Sequence, residues 1–488
     1  MKKRILFIYF NIITFSIYGQ DWGRYWCFGD SAGIDFSDVS IPTPFVSSMD
    51  NAFPCTSIGD SANGLLFYAH SYYWPNFIQG GNRTTALKNK HHLLFINGDS
   101  LIGVYHGGLT ILNKPNDSSI FYLIQSDLST NAGLYFSKVN PYFAQDTGIV
   151  LQRDIRLPLA DNMIQEGICA IKHANGRDWW VLCRNWLTFN RWNSFLFTPD
   201  TILGPIEQNV GSITSSNNST MSFSKQGDKL VIANNSALIE MYNFDRCSGL
   251  IDSPVRITFP HSNLSFLGTE FSPNGNLLYV SVTDNIFGDS LKLFQFDITN
   301  PVPGSTVQKI YSQKVPASGG LLKRGPDDKI YFSCLYAVGW SYPDTSRNIY
   351  NENLSVINNP DVYGVGCNFS PFSFYLGGKR TYWDLPNNPN FNLGPLYGSA
   401  CDSLSTGIES NNIKQSITIF PNPCKDRLNV VGILPTISDY KIFDFQGSII
   451  KDGKSKNLFL SIDVSNFVNG VYYLSVNNTL FRKFIVMH

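Results

Sequence analysis

Charge is scarce in this chain. Lys, Arg, Asp and Glu make up 15% of its 488 residues and cancel to a net charge of zero. The cancellation is uneven along the sequence. Lys2, Lys3 and Arg4 give the N-terminus +3, and residues 416–488 carry eight Lys and Arg against five Asp. Residues 20–415 are therefore left at −6. A mildly acidic body lacks the basic footprint of a nucleic-acid binder, so no nucleic-acid partner is expected. Long apolar runs are missing too. Ile5–Tyr18 comes nearest, and it falls short of the roughly twenty residues needed to cross a bilayer. No transmembrane span is expected in the mature protein. The nine cysteines stand singly, with no C-x-x-C pair and no Cys/His cluster at zinc spacing.

What the chain has is turn formers and aromatic residues: 39 Gly, 25 Pro and 14% Phe, Trp and Tyr. Turn residues between aromatic and β-branched runs point to an all-β protein. The N-terminus reads as a secretory signal peptide over residues 1–19, with a charged start, an apolar stretch and Gly19 at the cut. Export permits disulfides, but an odd cysteine count leaves at least one thiol unpaired and assigns no pairing.

A hairpin recurs six times. Each copy ends in a turn rich in Gly, Asn, Asp or Pro, followed by a bulky apolar strand. The turns include Ala174–Gly176, Ser272–Gly275 and Gly325–Asp328. Such turns supply the positive φ angles of tight hairpins. The second strands begin at residues 65, 120, 178, 229, 277 and 329, a step of about 53 residues. They are apolar on successive positions, so both of their faces should be covered. Blades stacked radially in a β-propeller meet that condition. The period predicts a seven-bladed β-propeller over residues 22–385. Its seventh blade would be assembled from Tyr25–Phe28 and Gly33–Phe36 at one end, with Phe372–Leu376 and Tyr382–Trp383 at the other. Residues 386–415, punctuated by Pro, Gly and Asn, read as a linker that lets flanking domains move independently.

The C-terminal run carries five ordered motifs: Ile417–Pro423 with Leu428–Val430, Tyr440–Gly447, Ile462–Ser465, Asn469–Val476 and Phe481–Val486. Residues 416–488 resemble the type A C-terminal sorting domain of type IX secretion cargo. The positions that carry the motif are Pro421, Asn422, Pro423, Leu428, Gly447, Gly470 and Tyr472. The resemblance implies a small Ig-like β-sandwich, recognition by the type IX machinery, export to the cell surface or medium, and later removal of the domain. Trp26–Phe36, Lys172–Gly176, Phe271–Gly275, Gly325–Tyr331, Leu354–Pro360 and Leu376–Arg380 resemble a propeller domain found at the N-terminus of such cargo. More loosely they resemble lactonase-type and WD-repeat propellers. That family has no agreed catalytic residues to carry over.

Candidate chemistry is thin. Gly29–Gly33 matches G-x-S-x-G, but a nucleophile elbow needs a helix after its serine, and Ile34–Phe36 reads as strand. His91 and His92 lack a third ligand at metal spacing; His70 and His106 follow apolar strands, from which they could reach the channel. Glu166 and Glu270 each precede a repeat hairpin. They offer oxygen ligands for Ca²⁺, or acceptors for amides of neighbouring blades, and no other cofactor is implied. The Trp-rich segment Trp179–Trp192 suggests a ligand surface built from Trp186 and Trp192 with Arg184, Asn185 and Arg191, since Trp and Arg are enriched at binding hot spots. The expectation is a secreted or surface-bound platform for a protein or glycan. The alternative is a hydrolase or lyase acting on glycans or lactones at the channel.

Overall fold

The computed structural model describes residues 22–402 and 417–488, except 51–53, 61–62, 74–82, 129–131, 188–189, 217, 260–263, 285–289, 315–316, 337–345, 433–437, 445–447, 456–458 and 477–479. The signal-peptide residues, Gly447 and the linker residues 403–415 lie outside that set. The chain divides into two units, Met1–Ser403 and Leu404–His488.

The first unit is a β-propeller. Seven antiparallel sheets follow one another along the chain among the described residues, six of four strands and one of three. We number them sheets 1 to 7 from the N-terminus. In sheets 2 to 7 the first strand lies innermost: Cys55–Asp60, Leu109–Asn113, Cys169–Lys172, Ser219–Phe223, Leu264–Phe271 and Ala317–Arg324. Strands lose burial outward. In sheet 4 the second strand, Trp179–Arg184, is buried throughout, whereas its fourth, Ile202–Asn209, has no buried residue. The continuous apolar second strands are thus explained by a neighbouring sheet on each face. Between them, turn glycines adopt the left-handed conformation, as at Gly227 (φ 76°) and Gly275 (φ 73°), where a side chain would be strained.

Apolar clusters knit the sheets into a ring. One spans sheets 2, 3 and 4; others join sheets 4 and 5, 5 and 6, and 6 and 7. A further cluster sets Trp26, Phe28 and Phe36 of sheet 1 against Tyr68 of sheet 2 and against Tyr331 and Leu354 of sheet 7. The Trp26 and Tyr331 rings meet edge to face at 5.6 Å.

Closure differs in one respect from the sequence expectation. Sheet 1 takes its three strands, Tyr25–Phe28, Asp30–Asp35 and Thr43–Asp50, from the N-terminus alone. Of the two C-terminal pieces expected in that sheet, Phe372–Leu376 falls largely in Phe369–Tyr375, the outermost strand of sheet 7, and Tyr382–Trp383 forms no strand. The C-terminal end contributes a bridge rather than a strand. Asp30 N–H donates to Arg380 O at 2.8 Å, and the Arg380 guanidinium reaches the Asp30 carboxylate at 2.7 Å. Arg380 is almost fully buried, and a charged group removed from water needs such a partner.

The second unit is a β-sandwich. A three-stranded sheet (Ile417–Phe420, Arg427–Gly432, Phe459–Asp463) faces a four-stranded one (Ile449–Ser455, Ser438–Phe443, Gly470–Val476, Leu480–Val486). Leu428, Val430 and Ile462 pack against Ile442, Leu474 and Phe484 between them.

Candidate functional site

The centre of the propeller holds chain. After Arg380, residues 381–394 descend from the mouth where inner strands begin, here the loop mouth, to the mouth where they end in hairpin turns, the turn mouth. Leu321 N–H and the Ser333 hydroxyl donate to Trp383 O at 2.8 and 2.6 Å. Asn387 N–H donates to Cys55 O, while its Nδ2 donates to the carbonyls of Gly107 and Ile168 at 2.9 and 3.0 Å. Asn388 Oδ1 accepts the Thr56 hydroxyl and the Ser57 amide, and its carbonyl accepts Lys323 Nζ at 2.6 Å. Below, Phe391 meets Trp179 edge to face at 5.6 Å, and Gly394 O accepts Arg246 Nη2 at 2.6 Å. A disulfide, Cys247–Cys401, ties the segment's end to the ring. Residues 386–402, read from sequence as the start of a free linker, are therefore part of the propeller. Beside Asn387 lies a void of about 40 Å³.

The loop mouth gathers titratable groups from separate sheets. His106 Nδ1 lies 2.6 Å from Asp384 Oδ1. Burial lowers the affinity of that imidazole for a proton, but Asp384 and Glu166 together more than offset it, and the pKa is raised. Glu166, 5% exposed, accepts Asn218 Nδ2 at 2.7 Å. Burial pushes its carboxyl up to about 7, against the lowering pull of His106 and Arg83. The Arg83 guanidinium stacks 3.0 Å from the Tyr105 ring centroid. A carboxyl raised from about 4.5 to about 7 binds its proton more tightly in the folded state. Its burial is harmless below pH 4.5 and its cost is complete above pH 7. Unfolding titrations should therefore show the protein losing up to about 3 kcal/mol across that window relative to Glu166→Gln, a difference that removes the opposite contribution of buried His70.

The turn mouth opens into a cavity of about 440 Å³, lined by Met221, Phe223, Lys225, Glu270, Lys323, Arg324, Asp328, Asn388, Phe391 and Leu393 among others. Glu270 accepts the amides of Phe271 and of Arg324 in the next sheet, each at 3.0 Å, and sits 3.5 Å from Arg324 Nη1. Glu166 and Glu270 thus stand at opposite mouths with partners of their own. Among the described residues, no group of three His, Cys, Asp or Glu is arranged to hold a metal ion. The Ca²⁺ reading gains nothing from this geometry.

The Trp-rich segment is largely interior. Trp192 is 0% exposed and packs edge to face on Tyr242 of sheet 5 at 5.2 Å. Arg184 is also 0% exposed, lies over the Trp192 ring and donates to Ser212 O. Asn185 is buried, donating to the Asp161 and Met163 carbonyls and accepting from Asn193. These three are framework, not ligand surface. Trp186 is half-buried, and Arg191, 3.8 Å from Glu207, is partly exposed. The sequence signal that was missed is strand context: Arg191–Phe197 is the third strand of sheet 4, and Trp192 opens its run of buried residues.

Ser31 is the second residue of the strand Asp30–Asp35 in sheet 1, just after the Gly29 turn, with φ 61°. Its hydroxyl donates to Asp30 Oδ1 at 3.3 Å. Strand follows it, so the elbow context fails. His70 is buried, its pKa lowered to about 3 by burial and by Lys88. His92 Nδ1 meets the Tyr68 hydroxyl at 3.0 Å, and His173 Nε2 meets Cys247 O at 3.0 Å.

In the sandwich, Asn422, between Pro421 and Pro423, accepts Ile485 N–H at 2.9 Å and donates to Lys483 O, clasping the last strand. Leu428 is fully buried, Gly470 opens the next-to-last strand, Gly470–Val476, and the Tyr472 hydroxyl donates to Val468 O. Residues 418–487 match the family described as the secretion system C-terminal sorting domain. The chain carries that sorting domain. It marks the protein as type IX secretion cargo, destined for export to the cell surface or the medium. No curated protein matches the chain. Among solved structures it is similar to a putative 6-phosphogluconolactonase from Bacteroides fragilis (13% identity, 75% of this chain and 96% of that one, TM-score 0.44). It is also similar to the periplasmic gluconolactonase of Pseudomonas aeruginosa (11%, 75% and 97%, 0.43). A third is PorZ, a surface component of the type IX secretion system of Porphyromonas gingivalis (11%, 96% and 74%, 0.27). At such values these likenesses carry no argument about activity, and the propeller rests on its own sheet topology.

Proposed function

We propose that this exported cargo is a binding protein whose propeller is a rigid platform, engaging an extracellular protein or glycan at its mouths and rim. The observation that supports this reading is the threaded centre. Residues 381–394 occupy the axis that a substrate tunnel would need, and hydrogen bonds from sheets 2, 3, 5 and 7 hold them there. A ligand is left the two mouths and the exposed loops, among which Trp186 and Arg191 remain candidates. A glycan array and a cell-surface binding assay with the secreted protein test it. Saturable binding without turnover of glycan or lactone is expected. Release of product from either substrate overturns the reading.

One observation favours the enzyme alternative: His106, Asp384 and Glu166 bring an imidazole–carboxylate pair and a carboxyl near neutral pKa to one mouth, as acid–base catalysis requires. If hydrolysis were found, His106→Ala and Glu166→Gln should abolish it. Ser31→Ala should leave both binding and any turnover unchanged, since neither its turn nor its single Asp30 contact activates a hydroxyl.

A further inference from the structure

We propose that the turn-mouth cavity is a binding site for a small organic carboxylate, with Lys323 as its counter-ion. The cavity, about 440 Å³, falls within the range of small-molecule sites. Its ionisable lining is Lys225, Lys323 and Arg324 against Glu270 and Asp328, an excess of one positive charge. The carboxylates are committed. Glu270 takes two backbone amides and Arg324. Asp328 takes Lys225 through both oxygens, at 2.7 and 2.8 Å, in a pair on the rim.

Lys323 is the cation left over. Its Nζ donates to the Asn388 carbonyl at 2.6 Å, and among the described residues no carboxylate forms an ion pair with it. An ammonium enclosed by protein with a neutral acceptor alone is costly. Burial accordingly pulls its pKa below the usual lysine range, with Glu270 opposing and Arg324 reinforcing. Asn388 adds a second unanswered donor. It is 6% exposed, its Oδ1 is doubly used, and its Nδ2 has no partner among the described residues. Met221, Phe223, Phe391 and Leu393 line the same space and give an apolar wall for the body of the ligand. One excess charge suits a carboxylate better than a phosphate monoester, which carries about −1.5 to −2 at neutral pH.

This inference goes beyond the platform reading and is tested apart from it, because small-molecule affinity and macromolecular binding are read in separate assays. The test is calorimetric titration of the secreted protein with glucuronate and benzoate, alongside glucose and glucose 6-phosphate. At least one carboxylate should bind with a Kd of about 1 mM or tighter, ahead of the phosphate ester and of neutral glucose. Lys323→Gln keeps a donor for Asn388 O but removes the charge, and should weaken that carboxylate at least tenfold. Lys323→Arg should hold it within about threefold. Affinity should also fall with added NaCl, a reading that needs no variant to fold. No carboxylate binding up to about 10 mM, equal affinity in Lys323→Gln, glucose binding as tightly, the phosphate ester binding more tightly, or a salt-independent affinity each overturns the proposal.

Discussion

Trp192→Ala should cost about 3–5 kcal/mol of stability and leave ligand affinity unchanged in whatever protein survives. Its indole is fully buried between sheets 4 and 5, against Tyr242 and beneath the Arg184 guanidinium. Truncation would leave a cavity in that interface and strip Arg184, itself wholly buried, of the ring it lies over. Urea unfolding reads the loss. A change of less than about 1 kcal/mol, the scale of an exposed position, would mean that the ring is solvent-facing. The comparison with Trp186→Ala is informative, because Trp186 is half-buried and should cost far less.

A larger effect is expected from deleting residues 22–36. Two of the three strands of sheet 1 would go, and with them Trp26, Phe28, Ile34 and Phe36, the residues that fill the gap between sheets 2 and 7. Tyr331, Leu354 and Tyr68 would face water, Arg380 would lose its Asp30 partner, and sheets 2 and 7 would be left as open flanks, prone to association. The shortened chain should lose its cooperative melting transition and aggregate. Calorimetry with light scattering checks this, and a monomer melting at the parental temperature would show that the ring does not depend on sheet 1.

The sequence made the ring legible because a blade writes itself locally. The second strands expected to begin at 65, 120, 178, 229, 277 and 329 are Gly64–Tyr73, Phe121–Asp127, Trp179–Arg184, Lys229–Asn234, Leu277–Asp284 and Ile330–Tyr336. Their unbroken apolar runs follow from being covered on both faces, and their turns need residues that tolerate positive φ. The channel segment wrote no such pattern. Pro386, Asn387, Asn388 and Pro389 look like linker because Pro and Asn also mark loops; what fixes them is side-chain bonding to carbonyls far away in sequence. The Cys247–Cys401 pairing was equally hidden, since singly spaced cysteines carry no register. The loop-mouth cluster drew one residue each from the stretches around Arg83, His106, Glu166 and Asp384, and only the assembled ring brings them together. Trp192 misled for a different reason. An aromatic-rich stretch looks alike whether it is a recognition loop or a strand at a sheet interface.

Everything proposed about ligands depends on the chain lying along the propeller axis. Hydrogen exchange of the secreted protein, resolved by mass spectrometry at single peptides, tests it most directly. The amides of Thr381 and Asn387, bonded to Asn351 O and Cys55 O, and that of Leu321, bonded to Trp383 O, should exchange as slowly as those of the innermost strands. Exchange of residues 381–394 at the rate of an open loop, with the inner strands still protected, would mean that the channel is empty and would contradict the account.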